Sequence, residues 1–237
     1  SHVCSSEGSS GGSSEGSSQH TTQTPRLEVV HDLSPLINAK TPVWPGDTPV
    51  SREVVCELSQ GATVTLSALR TTVHLGSHAD GPNHYGIDGQ DVSQRPLEHY
   101  IGACQVIEAR VNKGARVEPV DLIGGIEQID TPRVLIKTST FAGGTTWNSD
   151  FAALSPALVQ AIALRGVTTV GIDTPSVDLQ DSKDLPAHKA ILNHDISILE
   201  GLVLKDVPPG RYMLVAQPLK LEGFDGSPVR AVLCKLV

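Results

Sequence analysis

Short runs of alternating apolar and polar positions recur along most of this chain and predict strands more often than helices. The first is "LEVVHDLS" from Leu27; "VSREVVCEL" (50–58) and "TVTLSALRTTVHL" (63–75) follow, with partial alternation and β-branched residues. "ACQVIEARV" (103–111), "RVLIKTS" (133–139), "VTTVGID" (167–173), "RYMLVAQPLKL" (211–221) and "VRAVLCKLV" (229–237) continue the series. Helical spacing is rarer. "SPALVQAIALRGV" (155–167) has Ser155 as an N-cap, Pro156 at the first helical position and Gly166 as a stop. "LPAHKAILNHD" (185–195) predicts a helix starting after Pro186, and "EPVDLIGGIEQI" (118–129) a helix weakened by Gly124 and Gly125. Many strands with a few interspersed helices predict an α/β fold: one domain, a mixed β-sheet flanked by a few helices.

The chain has 237 residues, enough to bury a core without disulfide or metal staples. Residues 1–26 differ from the rest. "SSEGSS" occurs twice there, and such Ser/Gly-rich sequence has no apolar surface to offset the entropy of ordering. A flexible tail or linker is expected over 1–26, and the folded domain over 27–237.

The net charge is −8 and no long basic run is present, which argues against nucleic acid or an anionic membrane as partner. No stretch approaches the length of a membrane-spanning helix, and no secretory signal is visible. The four cysteines are scattered, with no CxxC pair, so neither a zinc-thiolate site nor a disulfide framework is expected. That usage fits a reducing, cytoplasmic compartment. No phosphate-binding glycine motif is present.

"TTVHLGSHADGPNHYG" (71–86) carries the chemistry. Its core is His74-x3-His78-x-Asp80-x3-His84. A helix is disfavoured by Gly76, Gly81 and Pro82. In a strand all four side chains share a face, but at roughly 3.3 Å per residue His74 and His78 would stand about 13 Å apart. That is too far to share one ion at bond lengths of about 2 Å. The segment is therefore expected to run strand-like and bend, first at Gly76 and again at Gly81-Pro82. Imidazole and carboxylate presented this way suit Zn, Mn, Co or Fe(II). Three ligands leave room for another from elsewhere. His31, His99, His188 and His194 are all available, and spacing does not choose between His188 and His194. Glu200 is a lone carboxylate in the apolar run "ISILEGLVL", costly to bury unless paired or metal-bound, or else exposed in a turn before Gly201.

"HLGSHADGPNH" resembles the HxGxHxDxPxH signature of the cyclase-like metal-dependent hydrolases, above all their bacterial kynurenine formamidase (arylformamidase) branch. "TPVWPGDTPV" (41–50), "GIDTPSVD" (171–178), "ILEGLVLKDVPPG" (198–210) and "SPVRAVL" (227–233) resemble further segments of the same family, in the same order. The resemblance implies a swivelling β/α/β fold and two divalent ions per subunit, usually zinc. It implies that His74, His78 and Asp80 bind one ion, that Asp80 bridges to the second, that His188 binds the second, and that Glu200 touches both. His84 matches the general acid/base and Trp44 an aromatic residue of the substrate pocket, which Trp147 could border. The implied reaction is hydrolysis of N-formyl-L-kynurenine to L-kynurenine and formate by a homodimer. An isatin hydrolase-like activity and a non-catalytic metal-binding protein of the same fold are the alternatives. Gly81 and Asn83 depart from the residues common at those positions, and Asn83 flanks His84.

Overall fold

Each run of strand-like pattern forms a strand, though the long ones pair over only part of their length. The computed structural model describes residues 24–237, so the segment expected to be flexible lies almost wholly outside the described residues. The strands are β1 (Leu27–Asp32), β2 (Ser51–Cys56), β3 (Leu66–Arg70), β4 (His78–Asp80), β5 (Ile101–Glu108), β6 (Arg116–Val117), β7 (Arg133–Lys137), β8 (Ala153–Leu154), β9 (Thr169–Ile172), β10 (Ser197–Glu200), β11 (Gly210–Val215), β12 (Gly226–Pro228) and β13 (Val232–Leu236). Two helices, α1 (Pro156–Leu164) and α2 (Pro186–Asn193), interrupt them.

Nine strands form one curled mixed sheet in the order β1-β13-β11-β5-β7-β9-β10-β4-β12. The central run β5-β7-β9-β10 is parallel and both flanks are antiparallel. Parallel neighbours need crossover connections, and α1 and α2 lie in two of them, before β9 and before β10. In α1 the Ser155 hydroxyl accepts a hydrogen bond from the Leu158 amide at 3.0 Å, as an N-cap does, and Pro156 occupies the first helical position.

The helix expected over 118–129 is not formed. Pro119–Asp121 and Ile126–Gln128 are single 3-10 turns. Gly124 and Gly125 between them take φ of +91° and +81°, left-handed values that end a right-handed helix.

Strand parity sorts the core into two layers. Val134, Ile136, Val170, Ile172 and Ile198 face the helices and pack with Leu158, Ile162 and Ile191. Leu135, Leu199, Val106, Leu214 and Leu233 pack on the opposite face. Because both faces are covered, β7 is buried along nearly all its length, which explains its unbroken apolar run. The β2–β3 hairpin stands apart as its own two-stranded sheet and exposes Val54, Val55, Leu66 and Leu69. Among the described residues no helix is long and apolar enough to cross a membrane.

Candidate metal centre

His78 and Asp80 lie on β4 with Ala79 between them. Ala79 packs into the core layer opposite the helices, so His78 and Asp80 point to the other side. β4 pairs antiparallel with β10, and the register sets Glu200 directly opposite His78. Residues so placed share a face with Cβ atoms roughly 5 Å apart. The His78 Nε2 to Glu200 Oε2 distance is 3.1 Å. Glu200 is therefore buried at the end of a strand, not exposed in a turn.

The bends fall where glycine was expected to place them. Gly76 takes φ +53°, and the chain then enters β4. After Asp80 it turns through Gly81 into a 3-10 turn over Pro82–His84. Gly81 has no room for a side chain: a Cβ there would lie 2.6 Å from Asn83 Oδ1 and 2.9 Å from the Val92 nitrogen. Asn83 thus folds back against Gly81. Gly201, just past Glu200, is tighter still. It takes φ +65°, and a Cβ would sit 2.0 Å from the Gly76 carbonyl oxygen. Gly201→Ala is expected to cost about 3 kcal/mol or more, from overpacking plus backbone strain. Urea unfolding of the variant measures it, and an unchanged midpoint would contradict this contact.

These elements bring His74, His78, Asp80, His188 and Glu200 together. His74 Nδ1 is 3.1 Å and His78 Nε2 3.4 Å from Asp80 Oδ1. His188 Nε2 lies 3.6 Å from the other oxygen, Asp80 Oδ2, and 3.8 Å from Glu200 Oε1. Two donor sets that share Asp80 result, His74–His78–Asp80 and Asp80–His188–Glu200, and a third group, His74–His84–Asp225, adjoins them; in each the ligand atoms lie within 4.8 Å of one another. α2 delivers His188, while His194 sits exposed at the end of that helix. His31 packs edge-on against Tyr212, and His99 hydrogen-bonds Ser197. Neither joins the cluster.

The cluster fits divalent-cation binding. Asp80 Oδ2 is buried without a hydrogen-bond partner, a state that buried carboxylate oxygens avoid unless something cationic satisfies them. The donors are all nitrogen and oxygen, as Zn, Mn, Co or Fe(II) accept. The histidines are also held in the tautomers that ligation needs. His78 Nδ1 donates to the Gly76 carbonyl at 3.0 Å, which leaves Nε2 for a metal. His188 Nδ1 donates to Asp178 Oδ2 at 2.7 Å, again leaving Nε2. His74 turns Nε2 to Asp225 Oδ2 at 2.8 Å and Nδ1 to Asp80.

Asp178 and Asp225 are site residues that local sequence reasoning missed. Asp178 accepts from Arg116 Nη1 at 2.6 Å and from the first amides of α2. Burial opposes its charge, but the His188 ring, those amides and Arg116 hold its pKa down at about 2. Asp225 immediately precedes β12, which pairs with β4 on the side away from β10. Its only sequence signal is its place two residues before "SPVRAVL", and nothing there separates it from the chain's other carboxylates.

Without metal the rings carry charge. Burial disfavours the His78 imidazolium, but Asp80 and Glu200 beside it push its pKa up to about 10. The same opposition, with Asp178 as the strongest partner, pushes His188 up to about 10. Burial would raise Asp80, yet His188, His74 and His78 hold it well below the usual carboxylate range. A histidine pKa raised on folding contributes stability in full below its unfolded value of 6.5 and loses it as pH rises toward 10. Metal-stripped protein is therefore expected to melt several degrees lower at about pH 10 than at about pH 6. Equal melting points would contradict the charge assignment.

The cluster forms the floor of a cavity of about 680 Å³. His74, His78, His84, His188 and Glu200 line its base, and Trp44, Phe141 and Trp147 its wall. Trp44 meets Trp147 edge-to-face with centroids 5.6 Å apart, and Trp147 meets Phe141 at 5.4 Å. The Trp147 indole N–H is anchored to Gln180 at 2.7 Å. Asp173 shapes the same wall: it accepts from the amides of Thr138 and Ser139 and holds Ser139 at φ +56°. His84 stands beside the donor sets, 39% exposed, its ring 4.1 Å from that of His74.

The sequence profile of the Putative cyclase family matches residues 31–179. A potential metal-dependent hydrolase with cyclase activity has a solved structure 27% identical in sequence, superposing with a TM-score of 0.73 over 89% of this chain and 98% of its own. A predicted metal-dependent hydrolase from Bacillus stearothermophilus is 28% identical, with a TM-score of 0.71 over 90% of this chain and 99% of its own. Isatin hydrolase A from Labrenzia aggregata, at 22% identity, shares the fold with a TM-score of 0.74 over 89% and 93%. With the profile spanning more than half its length, the chain belongs to the Putative cyclase family.

Proposed function

We propose that this protein is a metal-dependent amide hydrolase that converts N-formyl-L-kynurenine to L-kynurenine and formate. The observation that carries the reading is the placement of His84, with Asp225 at its Nδ1, beside the two donor sets that share Asp80, at the base of an aromatic-walled cavity. His74, His78 and Asp80 would hold one ion, and His188, Glu200 and the second Asp80 oxygen the other, with zinc the first choice. When bound, such ions lower the pKa of water from 15.7 toward about 7 and polarise a carbonyl.

The protein's own groups supply the rest. Hydrolysis forms a C–O bond at the formyl carbon, breaks its C–N bond and leaves a proton on the aniline nitrogen. His84 delivers that proton, a role suited to an imidazole that can carry a proton on either ring nitrogen. Trp44, Phe141 and Trp147 offer apolar faces and edges to the substrate's aromatic ring. Asp47 and Lys205 also line the cavity, an acid and a base suited to the zwitterionic amino-acid end of the substrate. Isatin has no such end. The test is absorbance at the kynurenine band with N-formyl-L-kynurenine against parallel hydrolysis of isatin. Faster turnover of isatin would replace this reading, and turnover of neither by metal-loaded protein would leave a binding protein.

The working unit is proposed to be a homodimer. A two-stranded hairpin is marginal in water by itself, and β2–β3 leaves Val55 67% and Leu69 67% exposed. A second copy that covers this hairpin would remove that apolar surface from water. Light scattering should return twice the chain mass, and Val55→Glu with Leu69→Glu should halve it. A monomeric parent protein would sink the proposal.

A further inference from the structure

One carboxylate oxygen serves two rings in this site. Asp225 Oδ2 lies 2.8 Å from His74 Nε2 and 3.3 Å from His84 Nδ1. The two rings tilt over each other at 36° with centroids 4.1 Å apart, so they approach the same oxygen from adjacent sides. Asp225 is fixed from its backbone: its carbonyl accepts from the Gly81 amide at 2.8 Å, and the next residue, Gly226, pairs with Asp80. Gly226 is what lets His74 lie there, since a Cβ would come within 3.0 Å of His74 Cε1.

We propose that Asp225 is a positioning residue for His84, holding Nδ1 as the N–H side of the ring so that Nε2 is the nitrogen that exchanges a proton with substrate. This rests on the reading of His84 as the acid/base. A neutral imidazole has one donor and one acceptor nitrogen, and whichever nitrogen faces a carboxylate carries the hydrogen. The separation of 3.3 Å is an ion-pair distance, close enough for the Asp225 charge to favour the hydrogen on the nitrogen that faces it. His74 is bound to the same oxygen through Nε2 while its Nδ1 faces Asp80, so Asp225 ties the acid/base to a metal-ligand candidate and fixes their spacing.

The test uses the zinc-loaded protein with Asp225→Ala, Asp225→Asn and His84→Ala. Nitrogen-15 NMR of the histidine rings reads the tautomer directly. His84 should carry its proton on Nδ1 in the parent, lose that preference in Asp225→Ala and regain it in Asp225→Asn, which keeps an acceptor oxygen. In kinetics Asp225→Ala should lower kcat about 10-fold or more, with KM and zinc content nearly unchanged, and should add nothing in the His84→Ala background. An unchanged His84 tautomer in Asp225→Ala overturns the proposal. So does a kcat loss that tracks zinc loss, or one that multiplies with His84→Ala. If the protein hydrolyses no formyl anilide the acid/base reading fails, and the NMR result still decides whether Asp225 sets the ring.

Discussion

Replacing His84 with alanine is expected to lower turnover of N-formyl-L-kynurenine by roughly 10²- to 10⁴-fold, the usual worth of a positioned proton donor, while the metal content stays the same. The two halves of that expectation have separate grounds. Both donor sets that share Asp80 are complete without His84, so its removal takes no ligand from either. The ring is 39% exposed on a 3-10 turn set by Gly81 and Pro82, so truncation leaves neither a core cavity nor an orphaned buried partner. On the proposed reaction, what the variant lacks is the proton donor for the departing aniline nitrogen, a poor leaving group as an anion. Steady-state kinetics paired with metal analysis of the same sample check both halves. A rate within about threefold of the parent would remove His84 from the mechanism, since general acid catalysis contributes at least 10²-fold as a rule.

Asp80→Asn is expected to strip both ions and bring hydrolysis below detection. Each carboxylate oxygen serves a different donor set: Oδ1 faces His74 and His78, and Oδ2 faces His188. An amide presents one oxygen and one NH2 group, so at least one set loses its acceptor and the shared negative charge disappears from both. Burial raises the stakes, because Asp80 is 1% exposed and no water replaces the missing charge. The fold should survive. β4 is held by backbone pairing to β10 and β12, which does not depend on the Asp80 side chain, and asparagine keeps the volume. His188→Ala is the contrasting case, expected to lose one ion and keep the other. Metal quantification with circular dichroism distinguishes the outcomes. Retention of both ions in Asp80→Asn would show that the carboxylate does not bridge the two sets.

Local sequence was a good guide wherever the governing interaction is local. The bent ligand segment could be read from His74 to His84 because side-chain parity and the glycine and proline bends act within a few residues. The Ser155-Pro156 start of α1 is legible for the same reason: cap and amide are three residues apart. The 118–129 segment was misread where apolar spacing competed with two adjacent glycines, and the left-handed backbone at Gly124 and Gly125 won. The resemblance to a family selected His188 over His194, which spacing had left open.

By itself the sequence determined the strand-rich α/β character, one of the two donor sets, and the turn that sets His84 apart from it. Only the tertiary structure decided the rest. Glu200 joins His78 through strand register across 122 residues, and Asp225 reaches His74 across 151. The cavity wall gathers Trp44 with Phe141 and Trp147 from a distant loop. The reason is geometric. A strand's pattern says which residues share a face, but not which strand will lie beside it, and it is the neighbouring strands that bring Glu200 to His78 and Asp225 to His74 and His84.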